Sequence, residues 1–240
     1  MNVRQLFDPR TSTCSYLLWD ATSREAALID PVRDLVLRDI HLLRELDLRL
    51  RYTLETHLHA DHITGSGFLR KTFNSMVLVH ENCGAKCPDI LLKDGDQIPL
   101  GRKKIGVKHT PGHTSCDVSY FIPGIVFTGD TLLIRGCGHP DSRTGDAGGL
   151  FDSITTRLYT LPDTTLVYPG HDHNRMVCSS IGDEKAFNKH IRNGITRGEF
   201  IMTMNSLQND PPQHIHHVLP SNLRCGDPTH EITLPATRVV

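Results

Sequence analysis

Short apolar runs, each closed by glycine, proline or a small polar residue, recur along the chain and predict its elements. "CSYLLWD" and "EAALIDPV" read as two strands around the polar turn "ATSR", since aromatic and β-branched residues are flanked there by turn formers. "RDLVLRDIHLLRELDL" places Leu35, Ile40, Leu43 and Leu46 at near-helical spacing and predicts an amphipathic helix. "RYTLET" is a short β-like run ending at His57, and "SMVLVH" is a strand packed on both faces. From "DGDQIPLGRKKIGVKHTPGHT" through "CDVSYFIPGIVFTGDTLLI" the pattern predicts a succession of strands, with a turn at Pro123 and Gly124. The glycine-rich "RGCGHPDSRTGDAGG" then interrupts regular structure, and a loop that long in a compact domain is usually functional or mobile. "LFDSITTRLYTL", "DEKAFNKHI" and "RGEFIMTMNSL" read as helices and "TTLVYPG" as a strand, while the tail after Pro211 has little periodicity. No repeat or low-complexity linker divides the chain. Residues 1–240 read as a single domain with a short C-terminal helical extension from about residue 183.

One grammar occurs four times: an apolar run, a tight turn, then a side chain able to bind metal. "RYTLET" leads to His57, "KIGVKHTPG" to His113, "GIVFTG" to Asp130 and "TTLVYPG" to His171. Turns at one end of a sheet are where α/β folds gather ligands, because the scaffold holds the strand ends and leaves the turn side chains free. The first segment, "THLHADHITG", adds His59, Asp61 and His62 to His57. An extended chain points residues 57, 59 and 61 to one side, and a turn at 60–62 folds His62 back to join them. A lone histidine here reads as a surface residue. Three imidazoles and a carboxylate held together crowd and desolvate one another unless something positive sits between them.

Composition narrows the partners. Lys plus Arg number 26 against 27 acidic residues, so no net field draws nucleic acid or an anionic membrane. The N-terminus lacks a basic segment followed by an apolar run, and no apolar stretch approaches membrane-spanning length, so a chain acting away from membranes is expected. Seven cysteines (Cys14, Cys83, Cys87, Cys116, Cys137, Cys178 and Cys225) are an odd number in a chain large enough not to need stapling, which favours a reducing compartment. Bacterial cytoplasm is the expected location, with the mitochondrial matrix as the alternative. Fifteen histidines, several at the ends of apolar runs, are the compositional outlier.

"THLHADH" with later "TPGHT", "FTGD" and "YPGH" resembles the metallo-β-lactamase fold superfamily, whose HxHxDH signature and later His, Asp and His residues surround one or two metals. The resemblance implies an α/β fold, an αββα sandwich with the site along one edge. Fold alone leaves the reaction open. "HADHITGSG", "GDTLLIRGCG", "LFDSI", "LPDTTLVYPGHD" and "SSIGDEKAFN" are similar more narrowly to the persulfide dioxygenases, also called sulfur dioxygenases. That similarity implies one Fe(II) per chain held by His57, His113 and Asp130, with His59, Asp61, His62 and His171 around it as a vacant second site. It also implies glutathione persulfide or another small-thiol persulfide and O2 as substrates, and a tendency toward homodimers. Two imidazoles and one carboxylate on one face of the ion leave positions for persulfide and dioxygen. Asp61 reads either as the acceptor for a ligand-histidine N–H or as a cap on its turn. Tyr168 reads as a catalytic hydroxyl or a packed strand tyrosine, and Cys137 as lining the substrate mouth or as packing.

The chain departs from that family where the substrate would sit. "GCGHPDSRTGDAGG" stands where "GCGRTDFQ" is usual, "HNRMVCSS" follows "YPGHD" in place of Tyr and a Gly-Arg pair, and Asn188, Lys189 and His190 replace "NPR". Arg135, Arg143 and Arg175 are candidates to hold a substrate carboxylate. The alternative is a glyoxalase II-like thioester hydrolase with two metals, although Ala60 stands where such enzymes carry Trp. A third reading, a metal- or redox-sensing module without turnover, fits the intact histidine and aspartate pattern least well.

Overall fold

The computed structural model describes residues 1–141, 143–172, 176–207 and 214–226. Its first sheet takes the strands in chain order: β1 (Asn2–Asp8), β2 (Thr13–Trp19), β3 (Glu25–Ile29), β4 (Arg49–Leu54), β5 (Met76–His80) and β6 (Ile90–Leu92). The first three are antiparallel, and β3 through β6 are parallel. A helix, α1 (Val36–Glu45), makes the crossover from β3 to β4, and α2 (Ser66–Phe73) makes the crossover from β4 to β5. The second sheet is built from β7 (Gln97–Leu100), β8 (Lys103–His109), β9 (Val118–Ile122), β10 (Ile125–Gly129), β11 (Leu166–Pro169) and β12 (Ser179–Ser180), hydrogen-bonded in the order β12-β11-β10-β9-β8-β7. Among the described residues its one parallel pair is β10 with β11, joined through α3 (Ala147–Ser153) and a continuing turn at Ile154–Leu158.

Alternation along each strand decides the layers. In β2, Tyr16 and Leu18 face the second sheet, where they meet Val107, Tyr120 and Phe127, while Leu17 points the other way onto the α1 and α2 face with Ile40, Leu43 and Leu69. In β10, Phe127 points inward, whereas Val126 packs outward with Leu150, Ile154 and Phe200. Phe200 belongs to α5 (Arg197–Ser206), which follows α4 (Ile181–Phe187). The order is therefore helices, sheet, sheet, helices, the αββα sandwich implied by the sequence. Each fully buried Leu or Phe in these layers contributes about 1.5–3 kcal/mol of transfer free energy.

Four features differ from the sequence reading. The N-terminal residues form β1, an edge strand whose alternation is weak because it is only partly buried. The segment after "THLHADH" forms α2, and the aperiodic tail contains α6 (Ile215–Asn222). Cysteines expected to be reduced include a disulfide, Cys87–Cys225, closing a separation of 138 residues. A pairing so distant has no signature in spacing. Tyr168 and Phe127 sit opposite each other in register between β11 and β10, and both rings contact Tyr16.

Candidate metal centre

Four strand ends deliver the site, as the repeated grammar predicted. His57 lies three residues past β4, His113 four past β8, and Asp130 and His171 follow β10 and β11. Gly129 brings the two sheets together there: it adopts φ +51°, and a Cβ on it would lie 2.7 Å from the Cβ and Oγ1 of Thr56. An L side chain disfavours that backbone and cannot occupy that space, so the close approach of Asp130 to His57 depends on glycine. Gly112, at φ +146°, passes within 2.3 Å (measured from a would-be Cβ) of the Leu150 backbone, so α3 backs the turn carrying His113.

Potential ligand atoms of His57, His113 and Asp130 lie within 4.8 Å of one another. The His57 and His113 rings stand edge to face with centroids 4.9 Å apart, and Asp130 Oδ2 is 3.7 Å from His113 Nε2. Each of these three candidate ligands has a partner that turns it. His113 Nδ1–H donates to the His139 carbonyl oxygen at 2.6 Å, which leaves Nε2 as the lone-pair nitrogen. Thr56 Oγ1 donates to Asp30 Oδ2 at 2.7 Å, so its oxygen accepts from His57 Nδ1–H at 3.0 Å, again leaving Nε2 for metal. Asp130 Oδ1 accepts from His171 Nδ1 at 2.7 Å, which leaves Oδ2 on the ligand side. Two neutral imidazole nitrogens and one carboxylate oxygen, each oriented from behind, fit a hard-to-borderline divalent ion with open positions.

Beside this group stands a second, His59, Asp61 and His62, whose ligand atoms also lie within 4.8 Å of one another. Asp61 Oδ2 accepts from His62 Nδ1 at 3.0 Å and from His171 Nε2 at 3.1 Å. Asp61 thus accepts from His62 and His171, and from neither His57 nor His113, the expected iron ligands. Both His171 nitrogens face carboxylates. Burial opposes its charge, yet Asp130 and Asp61 together hold the imidazolium well above its ordinary value. Burial also opposes ionisation of Asp130, but His171, His113 and His57 keep its carboxyl well below the usual range.

The remaining candidates are dispersed. A cleft of about 320 Å³ opens beside His171, lined by Arg135, Cys137, Lys189 and His190. Arg135 is already committed: its Nη1 pairs with the buried Glu184 Oε1 at 2.7 Å, and its backbone N–H donates to the same carboxylate. Burial pushes the Cys137 thiol up to about 12, so it lines the cleft as a neutral group. Arg143 pairs with Asp141 at 2.7 Å on the exposed loop, and Arg175 lies outside the described residues. Tyr168 is packed in the inter-sheet aromatic cluster with its hydroxyl beside Cys178, since the strand register turns it toward Tyr16. Among the described residues Lys189 is paired with no carboxylate.

Sequence reasoning missed Asp30, Glu55, Thr56 and Asn222. Asp30 closes β3 in "ALIDP", the same apolar-run grammar, and could have been found by it. It lies beside Thr56 because β3 and β4 are parallel neighbours, and it is 3.1 Å from His59 Nε2. Glu55, 3.5 Å from the same nitrogen, accepts from Thr64 Oγ1 and Ser66 Oγ.

Residues 9–171 match the metallo-beta-lactamase superfamily. The chain is 41% identical over 226 residues to the human protein named persulfide dioxygenase ETHE1, mitochondrial, covering 93% of this chain and 88% of that one. The crystal structure of ETHE1 from Myxococcus xanthus superposes with a TM-score of 0.92 at 45% identity, covering 94% of this chain and 100% of that one. Glyoxylase B2 of Dictyostelium discoideum is 27% identical over 260 residues, covering 90% of this chain and 88% of that one.

Proposed function

The chain belongs to the metallo-beta-lactamase superfamily and, within it, to the persulfide dioxygenases, and from that premise we propose a mononuclear iron enzyme acting on a small-thiol persulfide, with glutathione persulfide as the first candidate. The balanced reaction is R-SSH + O2 + H2O giving R-SH, sulfite and two protons. The observation carrying this reading is the group His57, His113 and Asp130, with its two imidazoles turned by Thr56 and His139 to present Nε2 together. His57, His113 and Asp130 would hold Fe(II), which when bound would supply redox chemistry toward dioxygen and a template for both reactants.

The protein's own residues supply orientation and charge. Thr56 and the His139 carbonyl hold the ligand tautomers, and His171 holds Asp130. In the cleft, the Lys189 ammonium, paired with no carboxylate among the described residues, offers a charge for a carboxylate of the thiol carrier. Burial and that ammonium hold His190 below its ordinary value, so it offers a neutral ring beside the lysine. Lys189 and His190 thus take over carrier recognition, for which Arg135, spent on Glu184, is unsuited.

Oxygen uptake by anaerobically prepared, Fe(II)-loaded protein on addition of glutathione persulfide, with sulfite assayed in the same sample, tests the reading. Matched uptake and sulfite support it; uptake with neither glutathione persulfide nor other small-thiol persulfides overturns it. The second group, His59, Asp61 and His62, keeps one rival in view, a thioester hydrolase with two metals. Against it, Asp61 Oδ2 is shared by His62 and His171. Two metals per chain, with hydrolysis of S-lactoylglutathione, would favour the hydrolase. A compartment rich in thiols and oxygen, bacterial cytoplasm or mitochondrial matrix, suits the dioxygenase.

A further inference from the structure

The loop carrying His57, His59 and His62 is held from behind by a residue far along the chain. Asn222, the last residue of α6 and 5% exposed, uses its whole amide on that loop. Its Nδ2 donates to the carbonyl oxygens of His59 at 2.9 Å and His62 at 2.8 Å, and its Oδ1 accepts from the Thr64 N–H at 2.9 Å. Two donors and one acceptor, matched to three backbone groups of the loop, fix both the path of the loop and the way the amide faces.

What keeps Asn222 in place lies three residues on. The Cys225 carbonyl accepts from the Gly67 N–H at 2.8 Å, at the start of α2, and Gly226 lies so close to Thr64 that a Cβ on it would be 2.0 Å from that carbonyl oxygen. Cys225 is also joined to Cys87, in the loop between β5 and β6, and the Cys87 carbonyl accepts from Arg70 of α2 at 2.7 Å. Cys225 and Asn222, with Cys83 and Val79, line a small pocket whose other wall is His57 and His59. The disulfide therefore ties the segment after α6 to the loop between β5 and β6, and so backs the hydrogen bonds by which Asn222 and Cys225 hold residues 59–67.

We propose that Asn222 is a positioning residue for the metal-binding loop, and that the Cys87–Cys225 disulfide is a redox clamp setting how firmly Asn222 is held there. Opening is ordinary thiol–disulfide exchange. A thiolate from a small thiol attacks one sulfur of the bridge, a second displaces the mixed disulfide, and the sum is Cys-S-S-Cys + 2 R-SH giving 2 Cys-SH + R-S-S-R. Cys87 is half-buried and Cys225 buried, so the entering thiol meets Cys87 first. Closing is the reverse, with a small-molecule disulfide as the two-electron oxidant. On the dioxygenase reading the thiol product belongs to the reducing class, so its accumulation would loosen the enzyme's own metal.

The test reads metal retention, not turnover. Full-length protein is loaded anaerobically with Fe(II), and release to a chromogenic chelator is followed for the oxidised protein, the dithiothreitol-reduced protein, Cys87→Ser, Asn222→Ala and Asn222→Asp. Removal of an outer partner of a ligand typically costs 10–100-fold in metal affinity. Asn222 touches the backbone of the loop and no assigned ligand side chain, so release from Asn222→Ala is expected to be faster by an amount toward the lower end of that range. Asn222→Asp keeps the acceptor for Thr64 but loses the donors to His59 and His62, so it should release like the alanine variant. Wild-type retention in the Asn222→Asp variant would overturn the positioning role and leave Asn222 a structural prop of Thr64. Reduced protein and Cys87→Ser should both release faster than oxidised protein, and dithiothreitol should change nothing further in Cys87→Ser. Equal rates in oxidised and reduced protein overturn the clamp. So does finding no disulfide by alkylation of the unreduced, denatured chain. Far-ultraviolet dichroism of each variant separates loss of fold from loss of metal, and Cys87→Ser carries the test should the Asn222 variants not fold. Repeating the series with Zn(II) gives the same order of rates whichever metal is native, so failure of the iron reading and failure of the clamp are distinguishable.

Discussion

Thr56 decides which nitrogen His57 presents. Its hydroxyl proton goes to Asp30, so its oxygen can only accept, and the imidazole must carry its proton on Nδ1. Thr56→Val keeps the shape and removes the acceptor. Metal affinity, measured by competition with a chelator, is expected to fall by about 10–100-fold; unchanged affinity would mean that packing, not the hydroxyl, orients the ring. His113→Ala removes a ligand outright and should abolish iron retention and sulfite production together. Full activity in that variant would refute the ligand assignment. At this scale the sequence was informative about residue types and silent about tautomers, because a ring's protonated nitrogen is set by a neighbour across the fold.

Elements carry the ligands by how closely they approach. Gly112 lets the turn before His113 run against the backbone of α3, so Gly112→Ala must push the two apart or strain the turn. The variant is expected to lose stability by about 1–3 kcal/mol and to bind iron more weakly, read by denaturant unfolding and metal content; a wild-type value for both would sink the close-approach account. In α1, Asp39 is buried on the face toward the first sheet, and burial pushes its carboxyl up to about 6, only partly offset by Arg38 at 2.9 Å. A folded-state value above the unfolded one means the native state holds its proton more tightly. Stability from this group is therefore present in acid and falls as pH rises from about 4 through 6. Asp39→Asn, which retains an acceptor for Arg38, should gain on the order of 2 kcal/mol at pH 7 to 8 and almost nothing near pH 4. A gain independent of pH would place the effect elsewhere.

For the whole molecule, the centre is a junction between two sheets, so metal should act as a bridge between them. His57 belongs to the first sheet, and His113 and Asp130 to the second. Removing metal with a chelator is expected to lower the melting temperature, and free Fe(II) at a hundredfold its Kd should restore about 2.7 kcal/mol. An identical melting curve for the stripped and loaded protein would show that the sheets are held without it. The sequence by itself determined most of the strands, the two-sheet architecture it resembles, and the candidates His57, His59, Asp61, His62, His113, Asp130 and His171, because each apolar run and turn is a local pattern that survives without its neighbours. It could not determine that Arg135 is spent on Glu184, that Tyr168 packs on Tyr16, or that Cys87 is bonded to Cys225. Nor could it show that Asp30 accepts from Thr56 behind His57, or that Asn222 holds the backbone of the His59–Thr64 segment. Those facts depend on which segments meet in space. Hydrogen bonds and disulfides between residues scores of positions apart leave no period in the chain, and only the packed sheets and helices bring their atoms within reach.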